Sequence, residues 1–244
     1  MATLYLTNLN PTAKIVDTKK KFFNRYLYKI VFHVPACRLV AMKSDCDISE
    51  QLEVRQKMLN TYQYGHGYNS SYAMAVHRDR RLIGANVSQL EYFKKIVVEH
   101  EGQIKIRIEE PFLTIYADDE SLLLNIADPE KAAVTEFHRP SGTAAVAALN
   151  RGECIVKTAT EYTHKVVFKE LAIGAESKAS IYNYLTGLGD IVKMTKGCER
   201  NLRENRFWFT SSYFYTKDES ILTFLNLIAP GVVAGIYKLT VLWQ

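Results

Sequence analysis

Two stretches of the chain carry the same succession of apolar and polar positions. Gln103–Asn125 (QIKIRIEEPFLTIYADDESLLLN) reads as a strand, a short turn, a second strand, an acidic helix start and an apolar helix. Arg206–Asn226 (RFWFTSSYFYTKDESILTFLN) reads the same way. In the first stretch Ile104, Ile106 and Ile108 share one face while Lys105 and Arg107 take the other, the two-residue period of a half-buried strand. Asp119-Glu120-Ser121-Leu122-Leu123 aligns with Asp218-Glu219-Ser220-Ile221-Leu222, which puts Asp119 and Asp218 where helix N-caps belong. Upstream, Tyr28-Lys29-Ile30-Val31-Phe32 matches His164-Lys165-Val166-Val167-Phe168, both of strand composition. A helical pattern follows each: Leu90, Phe93 and Val97 in the first half, Ile181, Tyr184 and Leu185 in the second. Val134–Phe137 and Ile236–Val241 supply a closing strand to each half.

Each half therefore has the order β-α-β-β-α-β, the split-βαβ or ferredoxin-like plan, which satisfies the right-handed crossover rule. The expected fold is α+β: two tandem ferredoxin-like domains with antiparallel sheets, related by duplication. The first domain covers residues 1–140 and the second 161–244, with a linker at 141–160 that begins in Pro140-Ser141-Gly142. Residues 1–21 form a polar lead-in ending in Lys19-Lys20-Lys21, where Leu4-Tyr5-Leu6 offers an added edge strand. The first half also carries an insertion at about 41–84. Part of it is helical in pattern, with Ile48, Leu52, Val54, Met58 and Leu59 following Asp47 and Ser49 as candidate caps. The rest is an irregular Gly/Asn/Ser loop interleaved with Tyr64, His66, Tyr68 and Tyr72, either a functional loop or a surface loop whose tyrosines pack back onto the domain.

The second copy is the more aromatic. Phe207 and Phe209 share a face with Trp208 opposed, and Tyr213 and Tyr215 share a face with Phe214 opposed, so both faces of that hairpin are expected to be covered. Just before it, Lys193, Lys196, Arg200 and Arg203 recur at steps of three and four, one stripe if the segment is helical.

Composition narrows the classes without choosing among them. The chain has 244 residues, 48% hydrophobic and 23% charged, the profile of a globular protein. Its net charge of +5 is evenly divided, with 19 basic and 17 acidic residues through Asn150 and 12 and 9 beyond. This permits a nucleic-acid partner without demanding one. Four scattered cysteines and six histidines form no CxxC, HxxxH or HExxH pattern, so no metal or cofactor is expected. The first residues contain no long apolar run, and nothing reaches the length of a membrane span; no signal peptide and no membrane contact are expected. A cytoplasmic setting, in a cell or an infected host, or a place in a virion fits this profile.

Tyr116-Ala117-Asp118-Asp119 resembles the YxDD motif of reverse-transcriptase palms, which share the split-βαβ plan and hold magnesium with paired aspartates; Asp45 and Asp47 would be the second acidic pair. In a palm, however, the aspartates occupy the turn between two central strands. Here they end a strand and open a helix, where capping is the simpler role. No nucleophile triad, P-loop or dinucleotide fingerprint is present, and no catalytic residue is assigned. The plan is also that of RNA-recognition modules, whose sheet aromatics stack bases, although the RNP1 pattern is missing. Nor does Pro230–Gly235 resemble the glycine-rich loop of CRISPR RNA-processing endonucleases. The leading expectation is a non-enzymatic protein binding RNA or another single-stranded nucleic acid. Lys193, Lys196, Arg200, Arg203 and Arg206 would meet phosphates beside Trp208, Tyr213 and Tyr215. The first alternative is a self-associating structural subunit of an oligomeric, viral assembly, in which the same aromatics face other protein subunits. The second is a metal-dependent palm-like enzyme.

Overall fold

The computed structural model describes residues 12–41, 47–63, 84–204, 208–209 and 212–242. The chain divides into two compact units, residues 1–141 and 142–244. Each is a mixed α/β unit built on a five-stranded sheet, and among the described residues no helix is long and apolar enough to cross a membrane.

In the first unit β1 (Lys14–Asp17) and β2 (Tyr28–His33) precede helices α1 (Ile48–Gln63) and α2 (Val87–Glu99). β3 (Ile104–Glu109), β4 (Phe112–Ala117), α3 (Glu120–Ile126) and β5 (Val134–Arg139) follow. The strand order is β1-β5-β2-β4-β3. All neighbours are antiparallel except β1 and β5. Alternation sorts the side chains. Ile30, Phe32, Leu113, Ile115 and Phe137 are buried in one core with Leu90, Phe93 and Ile96 of α2 and Leu123 and Ile126 of α3. The helices thus cover one face of the sheet. Asn86 starts α2 by accepting from Ser88 N–H at 2.9 Å; Asp119 starts α3 by accepting from Ser121 N–H at 2.8 Å.

The second unit opens with α4 (Thr143–Asn150) and β6 (Cys154–Val156). It continues through β7 (His164–Phe168), β8 (Leu171–Ala172), α5 (Ala175–Gly187), β9 (Val192–Met194), α6 (Lys196–Arg203), β10 (Trp208–Phe209), β11 (Tyr213–Thr216), α7 (Ile221–Ile228) and β12 (Val233–Val241). Its main sheet runs β6-β12-β7-β11-β9, and β6 is the parallel member. Val166, Phe168 and Phe214 meet Ile181, Leu185, Cys198, Leu202 and Leu225 in a second core, so α5, α6 and α7 share one face.

Four expectations are corrected. The sheets are not purely antiparallel, because each gains a parallel edge strand ahead of its first core strand: β1 from the polar lead-in, β6 from the expected linker. Residues 141–160 are therefore no linker; α4 and β6 belong to the second unit, and β6 hydrogen-bonds to β12. Among the described residues, the second aromatic hairpin does not form. β11 pairs with β9, while Trp208 and Phe209 pair with Ala172 and Leu171 in a separate two-stranded sheet. An insertion carrying α6 and β10 separates β9 from β11, and the aromatic run inside it has strand composition but a different partner. Finally, Asp218 precedes the cap rather than forming it. Its carboxylate takes the Ser220 N–H (2.8 Å) and hydroxyl (2.7 Å), and Ser220 holds the cap position.

Candidate nucleic-acid interface

The face of each sheet opposite its main helical core carries a matching row of side chains. In the second unit Tyr237 lies opposite Lys165, Lys165 opposite Tyr215, and Tyr215 opposite Lys193. In the first, His138 lies opposite Lys29, Lys29 opposite Tyr116, and Tyr116 opposite Lys105. Directly opposed residues of neighbouring antiparallel strands project to the same face. Each row therefore reads aromatic, lysine, tyrosine, lysine across four strands.

The second row is partly open. Tyr213 and Tyr215 are half-buried, edge to face at 5.6 Å between ring centres. The Lys165 ammonium sits 3.7 Å from the centre of the Tyr213 ring, within cation–π range. Gly235 makes room for the row: a Cβ there would lie 2.7 Å from the Tyr237 hydroxyl. Burial, then the Tyr213 phenol beside it, pushes the Tyr215 hydroxyl up to about 12. The Tyr215 ring is thus a neutral face at ordinary pH.

The first row is roofed. Residues 18–27 cross above it, and Phe22, Phe23 and Tyr26 approach the Tyr116 ring at 5.4, 5.0 and 6.5 Å, leaving Tyr116 only 5% exposed. Burial raises the Tyr116 pKa and the neighbouring Arg107 opposes it. His138 is pushed down by burial although the Glu136 carboxylate accepts from its ring nitrogen at 2.9 Å, so it stays neutral at pH 7. The loop is tied at both ends. Thr18 Oγ1 donates to the Leu27 carbonyl at 3.0 Å, Thr18 N–H to Arg139 at 2.7 Å, and Leu27 N–H to Asp118 Oδ1 at 3.2 Å.

The residues predicted from sequence do not form one surface. Lys193, Tyr213 and Tyr215 share the open face of the second sheet. Lys196, Arg200 and Arg203 lie on α6, whose Cys198 and Leu202 are buried in the core on the other face. Two of these three cations are already paired, Arg200 with Glu204 at 3.9 Å and Arg203 with Glu199 at 3.5 Å; such exposed i,i+4 pairs are worth a few tenths of a kcal/mol. The backbone of Trp208 belongs to β10, whereas Arg206, Tyr64, His66, Tyr68 and Tyr72 lie outside the described residues. Sequence reasoning missed Lys165, Tyr237 and the whole first row, because only the cross-strand register brings these positions together. The one local signal was basic and aromatic residues interleaved from Lys19 to Tyr28.

Of the acidic residues of the palm-like motif, Asp45 lies outside the described residues and the other three are engaged locally. Asp118 holds Leu27 N–H, Asp119 caps α3, and Asp47 accepts from Ser49 N–H at 2.8 Å at the start of α1. Among the described residues no group of three or more His, Cys, Asp or Glu is placed to hold a metal ion. Burial pushes the Cys37 and Cys198 thiols up to about 12, which keeps them protonated and poorly nucleophilic at neutral pH. Comparison with known proteins brings out no relative: no family model, curated protein or solved structure matches the chain.

Proposed function

We propose that this chain is a non-enzymatic RNA-binding protein that takes a single strand on the open sheet face of its second unit, and that both units are ferredoxin-like domains arisen by duplication. The fold reading is supported by the order β5-β2-β4-β3 in one sheet and β12-β7-β11-β9 in the other, with helices on one face of each. The row Tyr237-Lys165-Tyr215-Lys193 carries the functional reading. Neighbouring strands are about 4.8 Å apart, so rings and ammonium groups alternate on the scale of a base and its phosphate. Stacking on an aromatic ring contributes roughly 1–3 kcal/mol per base and tolerates any sequence. The lysines add a phosphate attraction that salt weakens.

The test is fluorescence anisotropy with a labelled single-stranded RNA of about ten nucleotides. The Lys165→Ala/Lys193→Ala variant should lose about tenfold in affinity or more, and its log–log salt dependence should flatten by roughly 0.7 per lost phosphate contact. The Lys196→Ala/Arg200→Ala/Arg203→Ala variant should change less. Wild-type protein that binds no RNA, or a double variant that binds as wild type does, overturns the assignment.

One observation favours the second reading, a structural subunit of an assembly. On α7, Phe224 and Leu227 are 48% and 74% exposed, and Phe224 packs against Tyr184 at 4.4 Å. Exposed apolar side chains grouped in this way mark protein interfaces. If that reading holds, light scattering detects an oligomer that Leu227→Lys dissociates.

A further inference from the structure

The loop over the first sheet has features that its fold does not need. Phe22 and Tyr26 exchange backbone hydrogen bonds of 2.8 and 2.9 Å. The turn between them holds Phe23 at φ +53° and Asn24 at φ +57°. Asparagine tolerates this left-handed region, whereas a bulky aromatic seldom enters it. Burial of the ring does not compensate, since Phe23 is 50% exposed. Strained backbone that displays a side chain to solvent is a feature of binding sites.

What lies around the ring defines a ligand. The Lys105 ammonium sits 3.9 Å from its centre. Between loop and sheet opens a cleft of about 610 Å³, lined by Lys19, Lys20, Lys21, Arg107 and the Tyr116 edge, with Asp17 the acidic residue on its wall. The cleft is wide open to solvent, with room for a small ligand at its surface. The half-exposed ring offers a stacking platform and the lysines favour an anion, which Arg107, itself paired with Glu109, can help to orient.

We infer that this cleft is a nucleotide site, with a base stacked on Phe23 and its phosphate held among Lys19, Lys21 and Arg107. The inference rests on the preceding reading for its ligand class but on no residue of the second unit. A free nucleotide and a nucleotide within a strand present the same base and phosphate, and the cleft recognises that shared chemistry.

The experiment is calorimetric titration of the full chain with ADP and, separately, with the same single-stranded RNA. Three variants are compared with wild type: Phe23→Gly, Lys19→Ala/Lys21→Ala and Phe23→Tyr. Glycine is at ease at positive φ, so Phe23→Gly should keep or raise the melting temperature while losing the ring. Both it and the lysine variant should bind about tenfold more weakly, and Phe23→Tyr should bind as wild type does. Loss on the ADP arm identifies a free nucleotide as the ligand; loss on the RNA arm alone identifies a nucleotide within a strand. Wild-type affinity of both loss variants for both probes overturns the inference. If Lys165→Ala/Lys193→Ala still loses RNA in that case, the reading of the second unit survives. The converse pattern, loss only in the loop variants, removes that reading and keeps the cleft. A wild-type protein that binds neither probe overturns both.

Discussion

Asp118 and Asp119 are adjacent carboxylates with different tasks. Asp118 anchors the far end of the 18–27 loop through Leu27 N–H, and Asp119 satisfies a free N–H at the start of α3. Asp119→Ala should cost about 1 kcal/mol of stability, the usual loss of a cap. Asp118→Ala leaves a backbone donor without its acceptor and should cost about 1–3 kcal/mol, with amide exchange faster at Leu27; unchanged exchange there would contradict the anchoring role. Glu153 offers a pH test. Hydrogen bonds from Arg151 (2.8 and 3.0 Å) and Thr240 (2.6 Å) hold its carboxyl down to about 2, from an ordinary 4.5. A depressed folded-state pKa stabilises above the unfolded value, and that contribution disappears as pH falls from 4.5 toward 2. Glu153→Gln should therefore melt below wild type at pH 7, with the gap closing through that window. A gap independent of pH would contradict the assignment. At this scale the Asp119 cap was legible because the S/D-then-apolar pattern is local. The displaced position of Asp218 was not, although the same DES triplet is present.

Strand length decided how much of the elements was legible. β2, β3, β4 and β7 show enough alternation or β-branched content to be read directly. β6 and β9 have three residues each and β1 has four, too few for a period to register. Their partners are also distant in sequence, so from sequence the aromatic run before β11 reads as its hairpin mate. The insertion responsible is fixed by Thr195. Its hydroxyl donates to the Tyr213 carbonyl at 2.8 Å and accepts from Cys198 N–H at 3.2 Å, capping α6 and tying it to β11 at once. Thr195→Ala should lose about 1–2 kcal/mol in denaturant unfolding, and Thr195→Ser should recover most of it. Equal losses in both would show that the hydroxyl is not the source.

At the scale of the molecule, the two units present the same cross-strand row under different cover: roofed by a basic loop in the first, half-open in the second. The sequence made Lys193, Tyr213 and Tyr215 visible as candidates but grouped them with the α6 cations, which the sheet separates from them. A surface assembled from four strands is set by register, and register is not written in any one segment. The most direct measurement is therefore photocrosslinking of 4-thiouridine-bearing single-stranded RNA to the full chain, with adducts located by mass spectrometry. Adducts on peptides containing Tyr213, Tyr215 or Tyr237, lost in Lys165→Ala/Lys193→Ala, are the predicted result. Adducts confined to α6 or α7, or none at all, would contradict it.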